Sequence, residues 1–226
     1  MKHNPIICAV DTCNIQEAKQ IIKEVHLYVG MIKLGLEFFV RNGIGGVKDI
    51  LDEFDAKVFL DLKLHDTPNT VKKTLIGLSC LHVDMITVHI AGGEDMLNAA
   101  TYVLSETPRN TSIDVIGVRA LTSKPKSSDE SLPTLPKAKL QGIVCPADEV
   151  KYLKSIDKND LTFICPGIRP SWYHQKDDQI RTATPKEAID AGADYIVIGR
   201  PITEARDRVK AVKDILNEIG YKVNTN

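Results

Sequence analysis

Residues 57–68 read Lys57-Val58-Phe59-Leu60-Asp61-Leu62-Lys63-Leu64-His65-Asp66-Thr67-Pro68. The run Lys57–Leu60 is short and β-rich, and it gives way to charges alternating with leucines. Beyond it, Thr70–Cys80 sets Val71, Thr74, Leu75 and Leu78 on one helical face. The same strand-then-helix unit repeats in both directions. Further apolar runs lie at Ile6–Val10, Met31–Leu34, Met85–His89, Asp114–Val118, Gly142–Cys145, Thr162–Cys165 and Tyr195–Ile198, eight in all. Their continuous apolar character suits strands buried on both faces, as in a parallel sheet. Helical spacing recurs at Ile15–Val25, Met96–Leu104, Pro185–Ala191 and Ile202–Ile219. Strand starts fall every ~25–30 residues, the size of a βαβ unit. Eight strands alternating with helices in 226 residues predict an α/β chain folded as a single (β/α)8 TIM barrel over 1–226. An open doubly wound sheet usually needs five or six strands, and no Gly-x-Gly-x-x-Gly follows the first strand to suggest a dinucleotide fold.

Composition narrows the function classes. The chain is 43% hydrophobic and 26% charged, with a formal net charge of -1. No basic excess is available to neutralise phosphates along a groove, which argues against a nucleic-acid partner. Five cysteines with no Cys-x-x-Cys pair argue against a disulfide framework or a structural zinc site. Cys8, Cys145 and Cys165 sit in apolar runs and read as small buried hydrophobes. The first apolar run is too short for a signal peptide, and no stretch approaches the ~18 apolar residues that cross a bilayer. The expectation is a soluble cytoplasmic protein without a membrane partner.

One segment departs from the repeat. Ser123–Lys139 is rich in Lys, Ser and Pro, and Pro125, Pro133 and Pro136 exclude a normal covering helix. It reads as a mobile loop between strands five and six that thins the barrel wall. A linker between two domains is the alternative, but neither half would then hold a complete strand set.

Catalytic groups of such barrels sit at the carboxyl ends of the strands. The polar residues there are Asp11, Lys33, Asp61, Lys63, His89, Thr122, Arg169 and the pair Gly199-Arg200. In an extended segment Asp61 and Lys63 point to one side and the leucines to the other, and Lys33 lies on the adjacent strand if sequential strands pair. Lysines and carboxylates in one alternating set stay charged despite partial burial, because each offsets its neighbour's desolvation. A structural ion-pair network is the bland alternative, and Asp11 alone also fits a helix cap. Independently, Ile198-Gly199-Arg200-Pro201 turns from strand into helix, and the loop after strand seven carries Pro166-Gly167-Ile168-Arg169 and Asp177-Asp178-Gln179. Barrels commonly hold phosphate with the loops after strands seven and eight, which points to a phosphorylated substrate. The glycines would otherwise merely make turns. Trp172 in this loop either closes over ligand or packs on another subunit. His65 and His89 lack partners at metal spacing and read as structural.

Asp61-Leu-Lys63-Leu-His-Asp66-Thr67-Pro resembles the D-x-K-x-x-D signature of the orotidine 5′-monophosphate decarboxylase family. The likeness extends to Ala9-Val10-Asp11, Ile32-Lys33-Leu-Gly35, Val88-His89 with Gly92-Gly93, Leu121-Thr122-Ser123, Pro166-Gly167-Ile168-Arg169, Asp178-Gln179 and Gly199-Arg200-Pro201-Ile202, in order along most of the chain. The extent of the chain resembles the free-standing microbial form, without a fused phosphoribosyltransferase. The resemblance implies conversion of orotidine 5′-monophosphate to uridine 5′-monophosphate, with Lys63 donating the proton to C6 and Asp61, between Lys33 and Lys63, near the departing carboxylate. It implies a homodimer in which Asp66 and Thr67 reach into the neighbouring subunit's site, with Thr70 also in the substrate-binding set. Asp11 and Lys33 would hold ribose hydroxyls and Thr122 would border the pyrimidine. Gln179, Arg200 and the Gly199 backbone would grip the 5′-phosphate, with Arg169 beside them. No metal or organic cofactor is implied. The departure from the family pattern is Ser123–Lys139, shortened and proline-broken where relatives carry a full helix.

The rival reading is a magnesium-dependent sugar-phosphate lyase of the same superfamily, hexulose-phosphate synthase or ketogulonate-phosphate decarboxylase. Those enzymes resemble this chain but typically have an acidic residue where Lys33 stands, and a lysine there would repel a divalent cation. A non-catalytic barrel that senses a phosphorylated ligand would keep the phosphate loops and lose the Lys33–Asp61–Lys63–Asp66 set, which is complete here.

Overall fold

The computed structural model describes residues 3–106, 113–119, 135–174 and 181–221. Eight parallel strands pair in sequence order and close on themselves: β1 (Ile6–Val10), β2 (Met31–Gly35), β3 (Val58–Leu64), β4 (Met85–His89), β5 (Asp114–Val118), β6 (Gly142–Val144), β7 (Thr162–Cys165) and β8 (Tyr195–Ile198). β8 pairs back onto β1 through Ile6, Ile7 and Cys8, so the sheet has no unpaired edge. The predicted (β/α)8 barrel is the observed fold. β1, β4, β5, β7 and β8 span the predicted runs, β2 gains Gly35, and β6 stops one residue early. β3 differs more. It starts at Val58 and runs on to Leu64, so Asp61 and Lys63 lie within the strand and not after it, as the sequence suggests.

Side chains alternate across each strand and divide the core into two parts. Ile7, Ala9, Met31, Phe59, Met85, Ile116, Val118, Val144, Ile164 and Val197 fill the barrel interior. Ile6, Cys8, Val10, Ile32, Leu34, Leu60, Ile86, Val88 and their counterparts face outward against the helices. Cys8, Cys145 and Cys165 are all fully buried, as predicted, and Cys13 and Cys80 are exposed. Burial pushes the Cys8 thiol up to about 12, so it is a packing group and not a nucleophile.

The helices are α1 (Ile15–Val25), α2 (Leu36–Glu53), α3 (Pro68–Leu78), α4 (Gly93–Glu106), α5 (Ala147–Ile156), α6 (Pro185–Asp190), α7 (Arg200–Thr203) and α8 (Arg208–Glu218). α1 matches its predicted span, and its cap is Asn14, whose side chain accepts from Gln16 N and Glu17 N. Asp11 is therefore not the cap, and that alternative falls. α3 and α4 start earlier than predicted, at Pro68 and Gly93. The predicted helix Ile202–Ile219 is two: α7 ends at Thr203, and α8 starts afresh after Asp207, whose carboxylate accepts from Lys210 N at 2.8 Å. α2 and α5 have no predicted counterpart. α2 is interrupted at Gly43, whose φ of 59° lies in the left-handed region that glycine tolerates.

Most of Ser123–Lys139 lies outside the described residues, as do Thr122 and Gln179. Its described end, Leu135–Lys139, is not helical. It is tied to the start of α4 by Glu94, whose carboxylate oxygens accept from Lys137 N and Ala138 N, each at 2.9 Å.

Candidate active site

Among the interior positions of β2, β3 and β4, three buried polar side chains, Lys33, Asp61 and Thr87, replace apolar filling residues. Lys33 sits in β2 beside Ala9 of β1 and Phe59 of β3, and Asp61 stands two residues further along β3, opposite Gly35. Lys33 and Asp61 are each 8% exposed. Asp61 Oδ2 accepts from Lys63 Nζ at 2.7 Å and lies 3.6 Å from Lys33 Nζ. Lys33 Nζ in turn donates to Asp11 Oδ1 at 2.9 Å. The result is a row of alternating charges, Asp11–Lys33–Asp61–Lys63.

Burial alone would push the Asp61 carboxyl up, but Lys33, Lys63 and hydrogen bonds from Lys63 and Thr87 hold it below the usual carboxylate range. Burial likewise works against the Lys33 ammonium, and Asp11 and Asp61 outweigh it, so Lys33 is raised above its ordinary value. Each buried charge is kept by its neighbours. The close packing also explains Gly35: a Cβ there would stand 3.1 Å from Lys33 Nζ and 3.2 Å from Asp11 Oδ1.

Simple alternation does not place Lys63. Its φ is 51°, unusual for a residue with a side chain, and the β3–β4 register shifts between Leu60 and Leu64. The strand bulges here, a device that re-aims a side chain. Lys63 N, displaced from the regular ladder, donates instead to Thr87 Oγ1 at 2.7 Å, and the same hydroxyl donates to Asp61 Oδ1 at 2.9 Å.

The row forms one side of a cavity of about 640 Å³, a volume suited to a small-molecule ligand. Pro166, Gly167 and Arg169 after β7, and Gly199 and Arg200 after β8, line it as well. Gly167 has a φ of 75°, a turn that admits the backbone to the cavity wall. Arg169 is held by its own loop: its N donates to Ala183 O at 2.9 Å, and its guanidinium donates to Ile168 O and lies 5.7 Å from the Tyr173 ring. Trp172 packs edge-on against that tyrosine and is 41% exposed.

Two groups of predicted residues are therefore brought together: Asp11, Lys33, Asp61 and Lys63 on one side, and Arg169, Gly199 and Arg200 from the β7 and β8 loops. Asp66, Thr67 and Thr70 do not line this cavity. They stand exposed at the β3–α3 turn, where Asp66 Oδ1 accepts from Thr67 N at 2.6 Å and the Thr67 and Thr70 hydroxyls lie 3.0 Å apart. The Thr67 N–H and the Thr70 hydroxyl keep the Asp66 carboxyl below its ordinary range. His65 and His89 stack with ring centroids 5.1 Å apart, and His89 Nδ1 accepts from Ala91 N, a structural role. No cluster of three potential metal ligands occurs among the described residues.

Sequence reasoning passed over Thr87, Glu17, Glu37, Thr203 and Glu204, the last four of which line the cavity. Thr87 carried one signal, a polar residue between Met85 and His89 on the inward register of that run.

The family model described as "Orotidine 5'-phosphate decarboxylase / HUMPS family" matches residues 4–215. An orotidine 5'-phosphate decarboxylase of Wolbachia pipientis is 42% identical over 230 residues, covering 96% of this chain and 99% of that protein. One from Rhodospirillum rubrum is 38% identical over 236 residues, covering 97% and 95%. The crystal structure of orotidine 5'-phosphate decarboxylase from Lactobacillus acidophilus superposes with a TM-score of 0.78 at 33% identity, covering 96% of this chain and 99% of that one.

Proposed function

The chain belongs to the orotidine 5'-phosphate decarboxylase / HUMPS family, and from that premise we propose that it converts orotidine 5′-monophosphate to uridine 5′-monophosphate and carbon dioxide. The observation that carries the reading is the row Asp11–Lys33–Asp61–Lys63, set in one cavity with Arg169, Gly199 and Arg200. Each residue's role below is part of the proposal.

The reaction breaks the bond between C6 and the carboxyl carbon. The electron pair stays on C6 in an sp² orbital orthogonal to the ring π system, so an electron sink acting through that system gains nothing. What helps is a fixed cation beside the growing carbanion and a fixed anion beside the carboxylate that leaves. Lys63 Nζ supplies the cation and then its proton, forming the new C6–H bond. Its side chain is 31% exposed, so water can return the proton afterwards. Asp61, held ionised, repels the substrate carboxylate until carbon dioxide departs. Asp11 and Lys33 hold ribose hydroxyls. Arg200, the Gly199 backbone and Gln179 take the 5′-phosphate with Arg169 beside them, and Thr122 borders the pyrimidine. Phosphate binding far from C6 is then used at the transition state.

The reaction takes no cofactor on this reading. Lys33, wedged between Asp11 and Asp61, places a positive charge where a magnesium-dependent relative would need to hold a cation. The enzyme works as a cytoplasmic homodimer whose whole 1–226 span is one barrel domain, with Asp66, Thr67 and Thr70 serving the neighbouring subunit's site. In support, these residues stand away from their own cavity. Ile76 on the following helix α3 exposes 49% of its surface, and Tyr102 on α4, 59% exposed, has its ring 6.0 Å from Lys72 Nζ of α3. Among the described residues no helix is long and apolar enough to cross a membrane.

The test is the loss of orotidine monophosphate absorbance in excess chelator. Turnover there supports both substrate and metal independence; activity that vanishes with EDTA and returns with Mg²⁺ overturns the reading.

A further inference from the structure

Thr87 is fully buried, at the level of the charged row inside the barrel, and does not itself line the cavity. Its hydroxyl has one proton. Ionised Asp61 can only accept, so the proton goes to Asp61 Oδ1 at 2.9 Å, and an oxygen lone pair takes the Lys63 N–H at 2.7 Å. That N–H has left the β3–β4 ladder because the register shifts between Leu60 and Leu64. One hydroxyl therefore fixes two things: the rotamer of Asp61, and the left-handed backbone turn, φ 51°, that aims Lys63 back at Asp61 Oδ2. We propose that Thr87 is a positioning residue for decarboxylation, holding the anion and the proton donor in the geometry the transition state needs.

The inference rests on the decarboxylase reading, and it separates from that reading experimentally. Wild-type turnover of orotidine monophosphate tests the reading; the Thr87 variants test the inference. Thr87→Val keeps the branched shape and removes both hydrogen bonds, whereas Thr87→Ser keeps the hydroxyl. Displacing reacting groups by about 1 Å lowers rate about 100-fold, so Thr87→Val is expected to lose about that much in kcat. KM and uridine monophosphate affinity should stay within about threefold, since ribose and phosphate contacts are untouched. Thr87→Ser should retain kcat within about threefold of wild type on the same argument. The acid limb of the kcat profile should also move to higher pH in Thr87→Val, because a hydrogen bond favouring the ionised carboxylate is gone. A folded Thr87→Val with wild-type kcat overturns the inference, as does a Thr87→Ser that falls as far as valine. If valine does not fold, Thr87→Cys, with its weaker donor, replaces it: kcat below that of serine supports the role, and equal kcat overturns it.

Discussion

Replacing Asp61 by Asn tests whether the charged row is a net gain to the folded chain. The substitution keeps the shape and removes the anion between two ammonium groups. At an effective dielectric of about 20, the 2.7 Å and 3.6 Å contacts are each worth about 6 and about 5 kcal/mol of gross attraction. Most of that is offset by desolvation of three charges, and removing one member of such a buried set typically costs about 3–5 kcal/mol. Lys33 would keep Asp11 at 2.9 Å and Lys63 is already 31% exposed, so the loss should lie near the low end, about 3 kcal/mol. For a chain of this length that lowers Tm by about 6–12 °C.

The pH dependence follows from the direction of each shift. Asp61 is lowered below its ordinary 3.8, so its contribution is present above that value and lost as pH falls through the lower folded value. Lys33 is raised above 10.5, so its contribution holds below that value and is lost as pH rises through the higher folded one. The gap between wild type and Asp61→Asn should thus be flat from about pH 5 to 9 and close toward acid. Calorimetric melts across that range, with enzyme concentration fixed, measure it. Turnover should fall at least about 100-fold in parallel. An Asn variant as stable as wild type at pH 7 would refute the reasoning, because the row would then be no better than break-even against its own desolvation.

Lys63→Ala should abolish turnover and leave uridine monophosphate binding measurable by calorimetric titration; substantial residual turnover would remove it as proton donor. Arg200→Ala should weaken uridine monophosphate by about 10- to 100-fold while changing uridine little, since a charge-assisted phosphate contact is worth about 1.5–3 kcal/mol; equal losses for both ligands would contradict the phosphate role. Asp66→Ala and Lys63→Ala subunits, each inactive alone, should recover about a quarter of wild-type activity after equal mixing and exchange, since half of the two-fold dimers then hold one intact site. No recovery despite exchange would argue against shared sites.

Much of the barrel could be read from the chain because parallel strands buried on both faces leave uninterrupted apolar runs, and five of the eight matched residue for residue. The helices were less legible where packing overrides local pattern. α2 contains Gly43, Gly45 and Gly46 and a break in helical φ/ψ, so its periodicity is interrupted although Phe38, Val47 and Ile50 are buried. α5 buries a glutamate, Glu149, whose charge is met by Arg119 at 2.7 Å and Arg181 at 2.8 Å from distant parts of the chain. No local window contains those partners.

The same division runs through the site. Residue types and their spacing after the run Lys57–Leu60 were enough to single out Asp61 and Lys63, because charges alternating with leucines at a strand's carboxyl end fall where such barrels hold catalytic groups, and the glycine-arginine turn after β8 stood out similarly. The resemblance set Asp61 between Lys33 and Lys63, but the contacts that make the row were decided by the closed barrel. Pairing of β2 with β3 brings Lys33 against Asp61, and the shifted register between β3 and β4 turns Lys63 and engages Thr87. A threonine in a strand is ordinary by composition. What makes this one matter is the neighbouring strand it faces, and that depends on contacts between segments about 25 residues apart, which a local reading of the chain does not contain.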